Sequence, residues 1–244
     1  MPSSRSRQAE LQRLAERPFA HRGLHGGGRI ENSRAAFQAA LDGGFGIELD
    51  VQESADGAAF VFHDDRLERL AEAEGLVRDR SSAELRTIRL RGSGETIPGF
   101  TEVLRLVSGR AGLLVEVKSP GSNVAPLCAS VAEGLRDYGD PVAVMSFNPA
   151  VGRWFRRNAP NLLRGLVVTE QDRRGARGRV ERRLALWWSG ADFLACDIRD
   201  LPSRFAARAR QRGLPVYTWT VRTHEERVRA AAHADQIIFE AAAR

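Results

Sequence analysis

Several things are scarce in this sequence of 244 residues. There are two cysteines, Cys128 and Cys196, and neither has a Cys or His neighbour at zinc-site spacing. This excludes a disulfide framework and a zinc finger, and both read as buried, reduced thiols. No apolar run reaches the ~18–20 residues of a membrane-spanning helix, so no stable membrane insertion is expected. The basic start leads into no apolar stretch of the secretory kind, which makes the cytoplasm the default location. Lysine is almost missing, with Lys118 as the single one, so the net charge of +6 rests on arginine. The densest run, Arg173, Arg174, Arg177, Arg179, Arg182 and Arg183, reads as a solvated loop and helix face. No nucleic-acid fold motif accompanies it, so no nucleic-acid partner is expected. No sequence pattern specifies an oligomeric state.

What is present fits one globular domain, with 43% hydrophobic and 28% charged residues. Short apolar runs alternate with helical patterns. Strands are expected near Phe19–Gly23, Gly46–Gln52, Ala59–His63, Gly112–Lys118, Val142–Phe147, Arg164–Val168, Phe193–Asp197, Val216–Val221 and Gln236–Phe239. Helices are expected over Ser33–Leu41, Glu102–Val107, Val124–Tyr138, Pro149–Arg157, Val180–Trp188, Ser203–Arg212 and Glu225–Ala232. Repeated strand–helix alternation argues for a parallel sheet, and about eight units favour closure into a (β/α)8 TIM barrel. Residues 1–17 read as an N-terminal extension and 18–244 as the barrel. Asp65–Pro98 breaks the rhythm with charged residues and a Gly-rich turn, and reads as a small insertion over one barrel end.

Polar clusters fall near the ends of the expected strands. Glu48 and Asp50 are two apart on one strand and share a face. Burying two carboxylates together is costly unless a cation or proton neutralises them. Glu116 adds a third from another strand, and three carboxylates suit a hard divalent cation such as Mg2+ or Ca2+. Lys118 shares the face of Glu116 and offers a compact ammonium for a phosphate oxygen. His21 and His63 end two separate apolar runs, and together with the carboxylates they suggest a general acid and base. Arg22 would complement phosphate charge. His25, in the Gly26-Gly27-Gly28 stretch, reads as part of a mobile turn, and His224 and His233 as surface residues.

These residues in this order resemble the glycerophosphodiester phosphodiesterase family. The resemblance runs from His21 to about Glu240 and is carried by AHRG at Ala20–Gly23, ENS at Glu31–Ser33 and ELDVQES at Glu48–Ser54. VFHDDRLERL at Val61–Leu70, IPGFTEVL at Ile97–Leu104, LLVEVKS at Leu113–Ser119, MSF at Met145–Phe147 and VYTWTV at Val216–Val221 complete it. The resemblance implies a metal-dependent TIM-barrel hydrolase that splits glycerophosphodiesters into an alcohol and glycerol 3-phosphate. It places catalysis on His21 and His63, a divalent metal on Glu48, Asp50 and Glu116, and phosphate contacts on Arg22 and Lys118. The family's Glu-Asn pair falls on Glu31 and Asn32, and its late aromatic wall on Trp219. The substrate would be a small glycerophosphodiester or a lysophospholipid. A lysophospholipase D or sphingomyelinase D-like phosphodiesterase on the same barrel is the alternative, and an apolar rim at the barrel mouth would favour it. Two departures touch the pocket wall. Arg222 follows WTV where the family often has Asn, and the last strand ends Ile-Ile-Phe-Glu rather than in an Asp-x-Pro step.

Overall fold

The computed structural model describes residues 4–139, 141–171 and 173–241. Residues 1–3 and 242–244, at the outer ends of the two expected segments, lie outside them. Eight parallel strands close into a ring: β1 (Phe19–Ala20), β2 (Gly46–Glu53), β4 (Leu113–Val117), β5 (Val142–Ser146), β6 (Leu163–Val168), β7 (Phe193–Asp197), β8 (Val216–Val221) and β9 (Gln236–Phe239). Pairing of β1 with both β2 and β9 completes the closure. Around the ring run α2 (Arg34–Asp42), α4 (Phe100–Val107), α5 (Ala125–Gly134), α6 (Pro149–Asn158), α7 (Ala176–Ser189), α8 (Arg204–Gln211) and α9 (His224–His233). This is the (β/α)8 barrel that the alternation predicts.

One expected strand behaves differently. β3 (Ala59–Val61) pairs antiparallel with β2 and lies outside the parallel ring. The reason is the connection, a tight turn closed by Gly57 N–H donating to Ser54 O, with Gly57 at φ +79°. A turn that short makes a hairpin, whereas a parallel crossover needs a dozen residues or more. The following segment is an insertion, but a packed one. Phe60, Phe62, Leu67, Ala71, Val77, Leu85, Leu90 and Ile97 form its own core, and the short α3 (Ser82–Leu85) is fixed by a Ser81–Glu84 capping box.

Strand alternation divides the main core in two. On β2 the residues Ile47, Leu49 and Val51 face the helices, as do Leu113, Val115 and Val117 on β4. Their neighbours Glu48, Asp50, Glu116 and Lys118 therefore point into the barrel. Inside, Phe19, Leu114, Met145, Phe193, Tyr217 and Ile238 fill the lower half. Gly165 leaves room for Phe193, because a Cβ there would sit 2.4 Å from its ring.

The N-terminal stretch folds onto the barrel floor. α1 (Ser4–Leu14) inserts Leu11 and Leu14 into the inner cluster. Arg7 holds both carboxylate oxygens of Asp192 at 2.7 and 2.8 Å and donates to Pro160 O and Leu162 O. Sequence patterning did not predict this helix.

Candidate active site

The inward polar residues meet at the C-terminal ends of the strands, around a cavity of about 440 Å³ lined by His21, Arg22, Glu48, His63, Glu116 and Lys118. The β2–β4 register sets Asp50 directly beside Glu116, so the carboxylates share one level. Glu48, Asp50 and Glu116 each bring an oxygen within 4.8 Å of the other two, and all three are buried.

His21 follows β1 immediately, its N–H bonded to Phe239 O. Arg22 then takes φ +55° and turns its N–H onto Glu48 Oε2 at 3.0 Å. Gly23 follows at φ +76° and lies against Ala36, so close that a Cβ would stand 2.8 Å from its backbone. This turn aims the Arg22 guanidinium between Glu31, at 2.6 Å, and Asp50, at 3.2 Å. Asn32, at φ +57°, brackets Asp50 from behind, with Nδ2 donating to Oδ2 at 3.0 Å and Oδ1 accepting from the Asp50 N–H at 3.3 Å. Glu31, Asn32 and Asp50 thus stand behind the cavity wall rather than on it. Lys118 Nζ donates to Glu116 Oε1 at 2.5 Å and lies 3.0 Å from Asp50 Oδ1. Trp219 forms the opposite wall, edge-on to Phe147 at 5.6 Å, with its indole N–H donating to Ala195 O.

Each histidine is backed by a carboxylate. His21 Nδ1 is 2.7 Å from Glu240 Oε1, and His63 Nδ1 is 2.6 Å from Asp64 Oδ1. Asp64 is clamped in turn by Arg69, which also reaches Glu31. Glu240 is held by Arg222 through both oxygens, at 2.7 and 2.9 Å. Burial lowers the pKa of both histidines against the opposing pull of these carboxylates. For Glu240, burial pushes up, but the hydrogen bonds from His21 and Arg222 win and hold it at about 2.

The carboxylate trio is electrostatically incomplete. Burial first, then the charges of Asp50 and Glu116, pushes Glu48 well above the ordinary carboxylate range. Glu116 is also raised, chiefly by burial. Asp50, though buried, is held low because Lys118, Arg22 and the two histidines outweigh its desolvation. Glu48 Oε1 is buried with no hydrogen-bond partner among the described residues. A divalent cation on Glu48, Asp50 and Glu116 would satisfy that oxygen and replace the protons that burial otherwise forces on, so the residues fit a metal of the hard, oxygen-preferring kind. His21, His25 and Glu240 form a second close trio. There the His21–Glu240 hydrogen bond already uses the carboxylate, which suits orientation of an imidazole.

The sequence reading located every residue of this cluster but missed the second tier. Asp64 stands out in the sequence only as the neighbour of His63, and Arg69 does not stand out at all. The Glu at the end of β9 was read as a departure from pattern, whereas it is the partner of His21. Arg222, the departure that follows WTV, is paired with Glu240 through both carboxylate oxygens. Among the described residues no apolar collar surrounds the mouth. Phe147 is exposed there, beside Arg199, Arg222 and Glu226, while the other exposed large apolar side chains lie on α7 and α9.

Residues 21–240 match the profile of the glycerophosphoryl diester phosphodiesterase family. A glycerophosphodiester phosphodiesterase of Caldanaerobacter subterraneus subsp. tengcongensis is 32% identical over 147 residues, 56% of this chain and 60% of its own length. One from Bacillus altitudinis is 39% identical over 115 residues, 43% of this chain and 45% of its own length. The chain thus matches about half the length of these two relatives. Among solved structures, a glycerophosphoryl diester phosphodiesterase of Silicibacter pomeroyi DSS-3 superposes with a TM-score of 0.80 at 25% identity, covering 95% of this chain and 93% of that one. A phosphodiesterase of Oleispira antarctica, determined with the product sn-glycerol-3-phosphate, shares the fold, with a TM-score of 0.82 at 24% identity and 93% of each chain covered.

Proposed function

Since the chain belongs to the glycerophosphoryl diester phosphodiesterase family, we propose that it hydrolyses glycerophosphodiesters to an alcohol and glycerol 3-phosphate, with His21 and His63 exchanging protons. The observation that carries this reading is that two carboxylate-backed histidines share one cavity with Glu48 and Glu116, and that Asp50, just behind its wall, completes a close trio of carboxylates. The product bound by the Oleispira antarctica protein is the expected product here.

Glu48, Asp50 and Glu116 would hold Mg2+ or Ca2+, which when bound supplies positive charge for the phosphoryl oxygens. Arg22 and Lys118 add fixed positive charge beside it. Both sit in ion pairs behind or within the trio, so they contribute mainly as a preset field. One imidazole takes the proton of the glycerol 2-hydroxyl, whose oxygen then bonds to phosphorus. The phosphorus–oxygen bond to the alcohol breaks, and the other imidazole delivers a proton to the departing oxygen. Water opens the cyclic phosphate with the two roles exchanged, which returns both histidines to their starting state. Asp64 and Glu240 orient the two rings by occupying Nδ1 and leaving Nε2 for the substrate. Trp219 and Phe147 wall the side of the cavity opposite the carboxylates.

The test is a panel of glycerophosphodiesters and lysophospholipids, assayed after chelation and then with Mg2+, Ca2+ or Mn2+ restored. Turnover of glycerophosphodiesters that disappears on chelation and returns with metal is expected. Activity that survives full metal removal would overturn the metal site. Wild-type turnover by His63→Ala would overturn the histidine pair. Activity on lysophospholipids alone would favour the lysophospholipase D reading.

A further inference from the structure

α7 packs Ala185 and Leu186 against the core but leaves its larger apolar side chains in water. Its buried residues are Gly178, Arg182 and Ser189, and Arg182 is tied down by an ion pair to Glu170 at 3.0 Å. Its outward side carries Val180, Leu184 and Trp187 at helical spacing, exposed by 52%, 58% and 76%. A row of large apolar side chains turned to water marks a surface that meets another surface.

The groove between α7 and α8 runs alongside this row and changes character along its length. Toward the barrel mouth lies a cavity of about 710 Å³ lined by Arg174, Arg179, Arg183, Arg199, Arg204 and Arg208. Its two acids are already engaged, Glu170 by Arg182 and Ser203, and Asp200 by the backbone N–H of Glu170, the side-chain amide of Gln171 and, at 3.9 Å, Arg174. Among the described residues no carboxylate lies within ion-pair distance of Arg179, Arg183, Arg204 or Arg208. Further down, a second cavity of about 530 Å³ is lined by Leu186, Trp187, Phe205, Ala209 and Leu214. Arg183, Phe205 and Arg208 border both cavities, so the groove is continuous, cationic at one end and apolar at the other.

We propose that the α7–α8 face docks on an anionic phospholipid surface, with lipid phosphates at the arginine end of the groove and Trp187, Leu184 and Val180 in the interfacial layer. Charge decides among the occupants. A second copy of this chain, packed symmetrically on the same face, would set arginines against arginines. A nucleic acid would satisfy the arginines and leave the apolar row in water. A bilayer carrying anionic headgroups offers phosphates and an apolar layer a few ångströms apart, and tryptophan is suited to that boundary. The helix is about 21 Å long, enough to lie flat on such a surface. Arg199 borders both the groove and the catalytic cavity, so docking sets the barrel mouth beside the lipid headgroups. Docking does not depend on the proposed hydrolysis and is measured without turnover.

The test is co-sedimentation of the full chain with vesicles of phosphatidylcholine, alone or mixed with phosphatidylglycerol. Wild type is expected to pellet with the mixed vesicles only, and less so as salt rises. Leu184→Ser/Trp187→Ser and Arg183→Gln/Arg208→Gln should each weaken binding by about tenfold or more. Equal thermal melting of all three proteins confirms that the variants fold. A wild type that ignores the mixed vesicles overturns the proposal, and so does a serine double variant that binds them as tightly as wild type. Binding of a DNA duplex as tight as that of the vesicles, and untouched by the serine changes, would also overturn it in favour of a polyanion site.

Discussion

His21 Nδ1 and Glu240 Oε1 lie 2.7 Å apart, and the same carboxylate grips Arg222 through both oxygens. The imidazole is thereby locked in one orientation, with Nε2 3.9 Å from Glu48 Oε2. The Glu240 carboxylate also favours the protonated ring, against the dominant pull of burial. Glu240→Ala should lower kcat on the order of tenfold to a hundredfold, the usual effect of losing a residue that orients a site imidazole. KM should move little. The limb of the pH–rate profile that belongs to His21 should shift to lower pH. A profile identical to wild type would show that Glu240 is only structural.

The same pair has a signature in stability. Glu240 is held at about 2, below its ordinary range, so its contribution is present above the unfolded-state value of about 4.5 and is lost as pH falls through about 2. Thermal melting of wild type should fall over that window. Glu240→Gln, which does not titrate, should show a shallower slope there.

Glu48 titrates in the opposite sense. Its raised pKa means that, without metal, its stabilising protonated form persists at low pH and is lost as pH rises through the folded-state value. Gln resembles the protonated side chain. Metal-free Glu48→Gln should therefore melt at or above the wild-type temperature near neutral pH. It should also lose activity and the rise in melting temperature caused by Mg2+ or Ca2+. For wild type, saturation at a hundredfold over Kd would add about 2.7 kcal/mol. A metal-induced shift of wild-type size in the variant would remove Glu48 from the ligand set.

Packing inside the ring allows a direct test of the core. Gly165→Ala should destabilise by about 1–3 kcal/mol in denaturant titration, because the added methyl meets the Phe193 ring in a filled interior. A neutral result would show that the lower barrel can relax.

Cys128 and Cys196 should both resist thiol reagents at pH 8 in the folded protein and react fully in denaturant. Burial pushes the Cys128 thiol up to about 12 and raises Cys196 as well. Fast labelling of either in the native state would contradict their burial.

Much of the site could be read in the sequence because strand geometry is periodic. Glu48 and Asp50, like Glu116 and Lys118, differ by two in number and so share the inward face, and apolar neighbours confirm which face is inward. Residues that act from loops carry no such period. Asp64 follows His63 directly and Glu240 lies far along the chain, and only the closed ring brings the latter beside His21. α1 was illegible for a related reason. Leu11 and Leu14 are its buried apolar anchors among charged neighbours, and its hold on the barrel comes from Arg7 reaching partners more than 150 positions away. The β3 strand is legible, but its antiparallel direction is not, because a short apolar run looks the same in either direction, and the tight turn before it is the deciding sign.

The helix under the barrel has one more consequence. With Leu11 and Leu14 stoppering the floor and aromatic rings filling the space above them, the chamber opens, among the described residues, at the barrel mouth. In the proposed hydrolysis, reactant, water and both products would share that opening, flanked by Phe147 and Trp219 on one side and the charged rim on the other. Arrival and departure would then take turns, and whatever lingers in that opening would set the pace for the next visitor.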